Sequence, residues 1–326
     1  MKTLITGATG FIGTHLVETL IKGGRSVRCL TRKVEKKKRL EDIGAEVVLG
    51  DLLNKDLVAS AVKGINSIYH LAGEVYSRKV TDYYRYNVTG TLNLLDACRS
   101  NGIERFIHCS SIAASGPNKN NNCLLTEADI CNPITPYGKS KYEAEQIVLQ
   151  YYRRYNIPVV IIRPPTVYGP GQSAVINEFF IQVKKGKFSI MGDGGYLRSL
   201  CYIENLIKGL LLAEKEKEAI GEVFFISDKE VKTFKELAQL IATAEGVQIK
   251  LISLPIATAN IAMFAFHIFQ KLLNLNILKF YTIGTMGRNL GCSIQKAEKI
   301  LTYKPIIKLD EGIAKTVNYL KTENKI

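Results

Sequence analysis

The sequence is poor in the residues from which metal centres and disulfide frameworks are built. It has seven cysteines without a CxxC pair and four histidines, whereas a tetrahedral zinc site needs clustered nitrogen and sulfur ligands. The opening MKTLITGATG has no apolar core of the kind found in secretory signals. We therefore expect no metal, and we expect a cytoplasmic location in which scattered cysteines stay reduced.

The sequence also lacks an apolar run long enough to read as a membrane span. The stretch 256–269 (IATANIAMFAFHIF) falls short of the roughly 18 to 20 residues that a spanning helix needs. We predict no transmembrane segment. The stretch has two interpretations, a buried helix, which we prefer, and a lipid-facing surface for peripheral membrane contact.

Basic residues outnumber acidic ones, but no nucleic-acid motif accompanies them. The chain has 44 Lys and Arg against 30 Asp and Glu, a formal net charge of +14. A positive field attracts anions such as phosphorylated substrates, yet runs such as residues 32–39 are usually solvated faces. We predict a small-molecule substrate and no nucleic-acid partner.

Short apolar runs alternate with helical patterns through the first half of the chain. This order is typical of an α/β fold with a doubly wound parallel sheet, the Rossmann arrangement. Its ligand site lies beyond the carboxyl ends of the strands. The predicted strands are 2–6, 26–30, 46–49, 67–71, 105–109 and 159–162, and helices are predicted at 11–21, 87–99 and 137–155.

The regular alternation breaks down after about Gly169. We predict a dinucleotide-binding domain at 1–168 and a smaller, mixed α/β substrate domain at 169–326. Part of 202–226 is expected to return to the first domain.

A glycine-rich turn, TGATGFIG at residues 6–13, separates the first predicted strand from the first helix. Glycines let a pyrophosphate approach the backbone, and the amides of the helix N-terminus meet the anion. The turn resembles that of the extended short-chain dehydrogenase/reductase family, also called the NAD-dependent epimerase/dehydratase family. The residues predicted here to bind the cofactor are Gly7, Gly10, Phe11, Ile12 and Gly13.

Further segments carry the same resemblance over nearly the whole chain. Asp51 resembles the family's adenine-contacting acid, although a helix N-cap is an alternative for it. Asn87 resembles a family asparagine near the active site, with a cap again as the alternative. The resemblance adds these residues to the predicted cofactor pocket: Leu52 beside Asp51, Leu71, Ala72 and Gly73 after the fourth strand, and Pro164 and Val167 in the segment RPPTVYGPG.

The end of the second strand bears on which dinucleotide is bound. An acid there would bind the ribose 2′-hydroxyl of NAD, but this chain has Arg32 in LTRK. A nearby cation can hold a 2′-phosphate instead. We therefore expect NADP in preference to NAD, unless Arg32 is only part of the solvated basic run.

Tyr137 and Lys141 are four residues apart, so on a helix they lie on one face. An ammonium near a tyrosine favours the phenolate and makes proton transfer easier. The family resemblance makes this pair catalytic and cofactor-binding. It also makes Ser111, rather than its neighbour Ser110, the serine that hydrogen-bonds the substrate carbonyl or hydroxyl.

Three functions are compatible with these motifs. We prefer a sugar-nucleotide epimerase, dehydratase or ketoreductase, because Arg198 aligns with a family arginine that contacts the substrate diphosphate, a task that suits a guanidinium. The alternative is an enzyme for apolar alcohols or ketones, similar to 3β-hydroxysteroid dehydrogenases and dihydroflavonol reductases. A non-catalytic NADP sensor is the third. A homodimer is only a family expectation.

Overall fold

A computed structural model describes residues 1–118, 123–172, 174–273, 283–323 and 325. Its strands are β1 Lys2–Thr6, β2 Ser26–Thr31, β3 Glu46–Leu49, β4 Ser67–His70, β5 Arg105–Cys109, β6 Val159–Arg163, β7 Thr166–Tyr168, β8 Lys187–Met191, β9 Leu197–Tyr202, β10 Val223–Phe225, β11 Val231–Thr233 and β12 Lys250–Leu254. Its α-helices are α1 Phe11–Lys22, α2 Lys37–Asp42, α3 Lys55–Val62, α4 Val80–Tyr83, α5 Gly90–Cys98, α6 Pro136–Tyr155, α7 Ala174–Lys184, α8 Ile203–Lys215, α9 Phe234–Glu245, α10 Ile256–Leu273, α11 Gln295–Ile300 and α12 Leu309–Thr322.

The main sheet has seven parallel strands in the order β10-β6-β5-β4-β1-β2-β3. Every residue of β4, β5 and β6 is buried, as expected for parallel strands with both faces covered, which read as continuous apolar runs. The doubly wound fold is confirmed. All six predicted strands are present, with ends within one residue of their predicted positions.

The strand order reverses between β1 and β4. Chain connections leave these two neighbours in opposite directions, which opens a crevice beyond their carboxyl ends where ligands of such sheets bind. The crevice is bounded by the turn after Thr6, the segment after His70 and, one strand further along, the segment after Cys109. The predicted site residues of the first half cluster around it.

The remaining strands form two smaller sheets. β11, β9 and β7 make one of them, and β12 pairs in parallel with β8 in the other. β10, by contrast, returns to the edge of the main sheet beside β6, and α8 packs against α1, β5 and β6. This is the part of 202–226 for which a return was expected; the division at residue 168 stays a prediction.

The apolar stretch near residue 260 forms a longer and more exposed helix than the sequence indicates. α10 has 18 residues, with a mean hydropathy of 1.3 and 22% of them buried. By length and composition this helix could cross a membrane. The stretch 256–269 alone is too short for a span, but the full helix is not. The preferred interpretation as a buried helix is wrong for the outer face of α10. The sequence does not indicate which sides of the helix pack against the rest of the chain.

Candidate active site

The glycine-rich turn closes tightly onto the end of β4. Gly7 has a φ of +73°, and a Cβ on it would lie 2.6 Å from the amide nitrogen of Ala72. A Cβ on Gly13 would lie 2.1 Å from the carbonyl oxygen of Gly7. Because neither contact can be relieved by a side-chain rotation, both positions require glycine, and the β1–α1 turn is held against the wall that Leu71 and Ala72 form.

The N-terminus of α1 has the chemistry of a pyrophosphate cradle. Gly10 is the N-cap and supplies no side-chain cap for the first amides of the helix, which remain available to an anion. Phe11 lies at this end, where Gly171 approaches its ring, and the Nε2 atom of His15 lies 2.9 Å from the carbonyl oxygen of Pro170. The segment leading out of β7 therefore lies over the start of α1, and the residues present fit a dinucleotide.

Arg32 and Asp51 meet at the ends of β2 and β3. The Arg32 guanidinium lies 3.5 Å from Asp51 Oδ2 and stacks on the ring of Tyr86, 4.5 Å from its centroid. Asp51 accepts a hydrogen bond from the amide of Leu53 at 3.0 Å, while Asn54 is the N-cap of α3. The alternative of Asp51 as the helix N-cap is therefore not what the structure shows.

Asn87 lies in the π-helical turn Tyr84–Thr89 between α4 and α5 and connects the crevice to α6. Its Oδ1 accepts from the amide of Glu74 at 2.7 Å, and its Nδ2 donates to Ser140 Oγ at 2.9 Å. A Cβ on Gly73 would lie 3.1 Å from Asn87 Oδ1. The asparagine is thus a bridge between the segment after β4 and the predicted catalytic helix, not a cap of α5.

Lys141 projects from α6 to the carboxyl ends of β4 and β5. It is only 4% exposed, and its Nζ donates to the carbonyl oxygen of Cys109 at 2.6 Å. The same Nζ lies 3.8 Å from the place that a Cβ of Gly73 would occupy. Burial lowers the pKa of Lys141 below its usual range. The ammonium therefore lies between two strand ends, close to the wall on which the glycine-rich turn rests.

The first turn of α6 is fixed against the segment that contains Ser111. Thr135 is the N-cap and accepts from the amide of Gly138 at 3.0 Å, and Pro136 follows at the first helical position, a favourable N-terminal pattern. A Cβ on Gly138 would lie 2.3 Å from the carbonyl oxygen of Ala113. Tyr137 lies between the proline and the glycine. The start of α6 therefore places it close to the turn that begins at Ser111.

The two candidate serines differ in environment. Ser111 is partly exposed, and its Oγ accepts from the amide of Ala113 at 3.2 Å. Ser110 is 4% exposed, and its Oγ has no hydrogen-bond partner among the residues that the structure describes. Exposure at the crevice favours Ser111 as the residue that a substrate can reach.

Two buried histidines lie beneath the site in adjacent strands. His70 has Thr6 Oγ1 at 2.7 Å from Nδ1 and Thr91 Oγ1 at 2.8 Å from Nε2. Neither ring nitrogen of His108 has a hydrogen-bond partner in the described part of the chain. Burial and the nearby Lys141 charge lower the pKa of His70 to about 3 and that of His108 well below its usual range. Both rings are neutral, so they do not compete with Lys141 as cations.

The segment RPPTVYGPG is mainly structural at its centre. The Pro164 carbonyl accepts from the amide of Ile112 at 2.9 Å, beside Ser111. Val167 is 8% exposed and belongs to the hydrophobic core. Tyr168 is buried and donates to Asp228 Oδ2 at 3.0 Å. Burial raises the pKa of Asp228 to about 6.

The Arg198 guanidinium is held by contacts within the chain. Its guanidinium donates to the carbonyls of Arg288 at 2.6 Å and Thr285 at 2.5 Å, and it lies 5.3 Å from the ring centroid of Phe234. It is 9% exposed. In this structure it attaches the 285–288 segment to β9, a role that sequence reasoning could not see because the partners are about 90 positions away.

Some residues of the site were missed. Ser140, which holds Asn87, and Tyr86, on which Arg32 stacks, carry no motif of their own. The buried ion pair of Arg163 with Glu145, at 2.6 Å, joins β6 to α6 and fixes the helix that carries Tyr137. The period of α6 could have placed Glu145 on the same face as Lys141, four residues earlier.

Comparisons with known proteins agree on one family. The model of the NAD dependent epimerase/dehydratase family matches residues 3–227. A 4-hydroxy-2-methyl-3-oxo-4-farnesyl-3,4-dihydroquinoline-1-oxide ketoreductase from Stigmatella aurantiaca is 26% identical over 96% of this chain and 95% of its own length. A 3-beta-hydroxysteroid dehydrogenase from Mycolicibacterium neoaurum is 27% identical over 98% of this chain and 91% of its own.

A similar solved structure is that of a UDP-glucuronic acid 4-epimerase from Bacillus cereus in complex with UDP-glucuronic acid and NAD. It has a TM-score of 0.79 and 26% identity, and the match covers 99% of this chain and 100% of that one.

Proposed function

The chain belongs to the NAD dependent epimerase/dehydratase family and is an NAD(P)-dependent enzyme, and from this premise we propose that it transfers a hydride at a hydroxyl or ketone carbon of a sugar nucleotide. One observation carries the proposal. Lys141 Nζ lies 3.8 Å from the Cβ position of Gly73, while Ala72, the residue before it, contacts the Gly7 turn. The turn suited to the dinucleotide and the helix with Tyr137 therefore meet at the end of β4.

The proposed assignment gives the dinucleotide its binding groups. Gly7, Gly10 and Gly13 let the pyrophosphate reach the backbone amides at the start of α1. Asp51 and Arg32 hold the adenosine end, and Lys141 holds the nicotinamide ribose. When bound, NAD(P) supplies the chemistry of accepting or donating a hydride.

Tyr137 is the proposed general acid and base. Its phenolate oxygen takes a proton from the substrate hydroxyl during oxidation, and the hydroxyl so formed returns it during reduction. Lys141, buried and hydrogen-bonded to the carbonyl of Cys109, favours the phenolate of Tyr137 by its charge. Ser111 donates a hydrogen bond to the reacting oxygen and stabilises the negative charge that develops there.

The preference for NADP is also a proposal, and it rests on Arg32. Its guanidinium is about half exposed and already oriented by Asp51 and Tyr86, as a 2′-phosphate site would require. We expect Arg32→Ala to weaken NADPH binding by about tenfold with NADH binding unchanged, measured by isothermal titration. Lys33→Ala, at the next position, is the matched control. Equal losses for both dinucleotides, or a wild type that prefers NADH, would contradict the proposal.

The proposed sugar-nucleotide substrate is supported by the likeness to an epimerase solved with a UDP-sugar. A thermal-shift panel of UDP-, GDP- and dTDP-sugars against sterols, each with NADP present, tests it, because a ligand raises stability according to its concentration over its dissociation constant. We expect a shift with at least one nucleotide sugar. Stabilisation by sterols alone would transfer the assignment to the second candidate.

That second candidate is an oxidoreductase for an apolar alcohol or ketone. Two observations favour it: the Arg198 guanidinium is hydrogen-bonded to two backbone carbonyls, and α10 presents an exposed apolar face. The ketoreductase and steroid dehydrogenase relatives agree with it. For localisation we propose the cytoplasm, in keeping with seven cysteines that are all free.

A further inference from the structure

α10 is apolar on two opposite faces, and only one of them is packed. The buried face consists of Ala259, Ala262, Met263 and Phe266. It packs on the segment that follows: a Cβ on Gly284 would lie 2.7 Å from Met263 Cε, and one on Gly287 would lie 3.1 Å from Ala259 Cβ. A helix that is apolar all round is normally covered all round, by protein or by lipid.

The outer face carries large apolar side chains in a single stripe. Ile261, Phe264, Ile268 and Leu272 follow each other at helical spacing, so they point to one side. Ile261 is 67% exposed, Phe264 68% and Leu272 73%. Single exposed apolar residues are ordinary, but a contiguous patch of this kind marks an interaction site. We call these four residues the outer stripe.

The segment that carries the outer stripe has charged residues of one sign. The sequence contains no acidic residue between Glu245 and Glu298, although the whole chain has 30. Lys271 lies on the helix itself and Lys250 begins β12, and both are exposed. Lys250 pairs in register with Lys187 of β8, the strand against which α10 packs. An apolar stripe on a segment whose charged residues are all basic is complementary to a surface that is apolar inside and anionic outside.

We propose that the outer stripe docks on an anionic lipid bilayer, with its apolar side chains entering the boundary between headgroups and acyl chains and with Lys271 and Lys250 facing the headgroups. This goes beyond the proposed catalytic function and does not depend on it. A second copy of the chain fits less well, because residues 246–297 of that copy also contain no acidic residue to pair with Lys271 and Lys250 in a symmetric contact. A span would separate Ala259 and Met263 from the segment on which they pack.

Docking would also orient the catalytic crevice. Thr285 and Arg288, in the segment packed under α10, line a small cavity together with Ala113 and Thr135, which flank the predicted catalytic serine and tyrosine. The opening of the site would therefore lie near the bilayer and not on the opposite side of the molecule.

Co-sedimentation of the full chain with vesicles tests the proposal. Vesicles of phosphatidylcholine with phosphatidylglycerol are compared with vesicles of phosphatidylcholine alone. The test variant is Ile261→Ser with Phe264→Ser. The matched control is Ile130→Ser with Ile306→Ser, two exposed isoleucines outside α10, 94% and 53% exposed. Thermal unfolding and NADPH binding of both variants verify that they are folded, independently of any turnover.

We expect the wild type and the control to bind anionic vesicles, with binding reduced by added salt. The partition coefficient of the stripe variant should fall by on the order of a hundredfold, since two large apolar side chains leave the bilayer. Equal binding by the stripe variant, or no binding by the wild type, overturns the proposal. So does concentration-dependent dimerisation through the stripe without vesicle binding, or extraction of the wild type from cells only by detergent.

Discussion

The main sheet and the unit formed by β8, β12 and α10 place their apolar residues differently. In β5 and β6 every residue is buried, and the polar groups beneath the site are enclosed with them. In β12 most residues are exposed or partly exposed, Ile252 by 40%, and the outer face of α10 is open. Apolar content alone is similar in the two regions; what differs is whether the chain itself supplies the covering layer.

This difference has a functional consequence. The enclosed region holds its catalytic groups in place by contacts within the chain, so its substitutions should be costly. The outer face of the open region is covered only by something outside the chain, so substitutions on that face should lower the free energy of unfolding very little. The following predictions test this contrast, from the largest expected effect to the smallest.

Tyr137→Phe should reduce turnover by about three to four orders of magnitude while NADPH affinity stays within about twofold, since the ring is kept and only the hydroxyl group is lost. Turnover is measured with the ligand that stabilises most in the panel. Tyr142→Phe, one turn further along α6, should leave turnover unchanged. A Tyr137→Phe enzyme of ordinary activity would remove the acid/base assignment.

Glu145→Gln should lower the free energy of unfolding by about 3 kcal/mol or more, because Arg163 would be left as a charge in a buried site. The side chains of this pair are 5% and 1% exposed. Glu46→Gln is the control: its carboxylate pairs with Lys2 and Arg28 but is 45% exposed, so the loss should stay below about 1 kcal/mol. Urea unfolding measures both, and similar losses for the two variants would argue against the contrast.

Acidification should destabilise the enclosed region through its histidines. The folded-state pKa of His70 is depressed by burial to about 3, against about 6.5 when unfolded. The stability associated with the neutral ring is therefore complete above pH 6.5 and is lost as the pH falls toward 3. Between pH 7 and 5 we expect a loss of about 2 kcal/mol for each buried histidine.

His108→Leu should reduce this pH dependence of stability. At pH 7 the melting temperature of this variant should equal or exceed that of the wild type, because the removed ring has no hydrogen-bond partner in the described residues. His70→Leu, which removes one hydrogen bond each from Thr6 Oγ1 and Thr91 Oγ1, should lower the melting temperature. A pH profile unchanged by His108→Leu would show that this ring is not buried and neutral as described.

Ile261→Ser, on the outer stripe, should change the free energy of unfolding by less than about 0.5 kcal/mol, as for surface substitutions in general. Phe266→Ser, on the buried face of the same helix, should be clearly destabilising because that residue is 1% exposed. Thermal melts compare the two. A large loss for Ile261→Ser would mean that the chain itself covers the stripe.

The same contrast explains which parts of the fold and the site could be predicted from the sequence. Buried parallel strands such as 105–109 are visible because both faces demand apolar residues, and glycines mark the turns between them. Arg32 and Asp51 could be placed together because strand ends of a parallel sheet meet at one edge, and the family resemblance places Gly73 and Lys141 in one cofactor pocket. The structure brings both pairs together.

Prediction from the sequence is weaker where the contacts of a residue are with a partner far away along the chain. Arg198 could be aligned with a phosphate-binding arginine, but its bonds to the carbonyls of Thr285 and Arg288 follow from tertiary packing. The outer face of α10 could not be predicted, since periodicity does not state which sides are covered. The bridge from Asn87 to Ser140 joins two residues 53 positions apart and belongs to no motif.

A crystal structure of the chain with NADP bound tests the central claim most directly, that the glycine-rich turn and the Tyr137 and Lys141 pair form a single site. We predict the pyrophosphate at the amides that follow Gly10. We also predict a hydrogen bond of about 3 Å from Lys141 Nζ to the nicotinamide ribose, with the Tyr137 hydroxyl on the side of the ring where a substrate would lie. A dinucleotide bound elsewhere, or a nicotinamide out of reach of both side chains, would contradict the account.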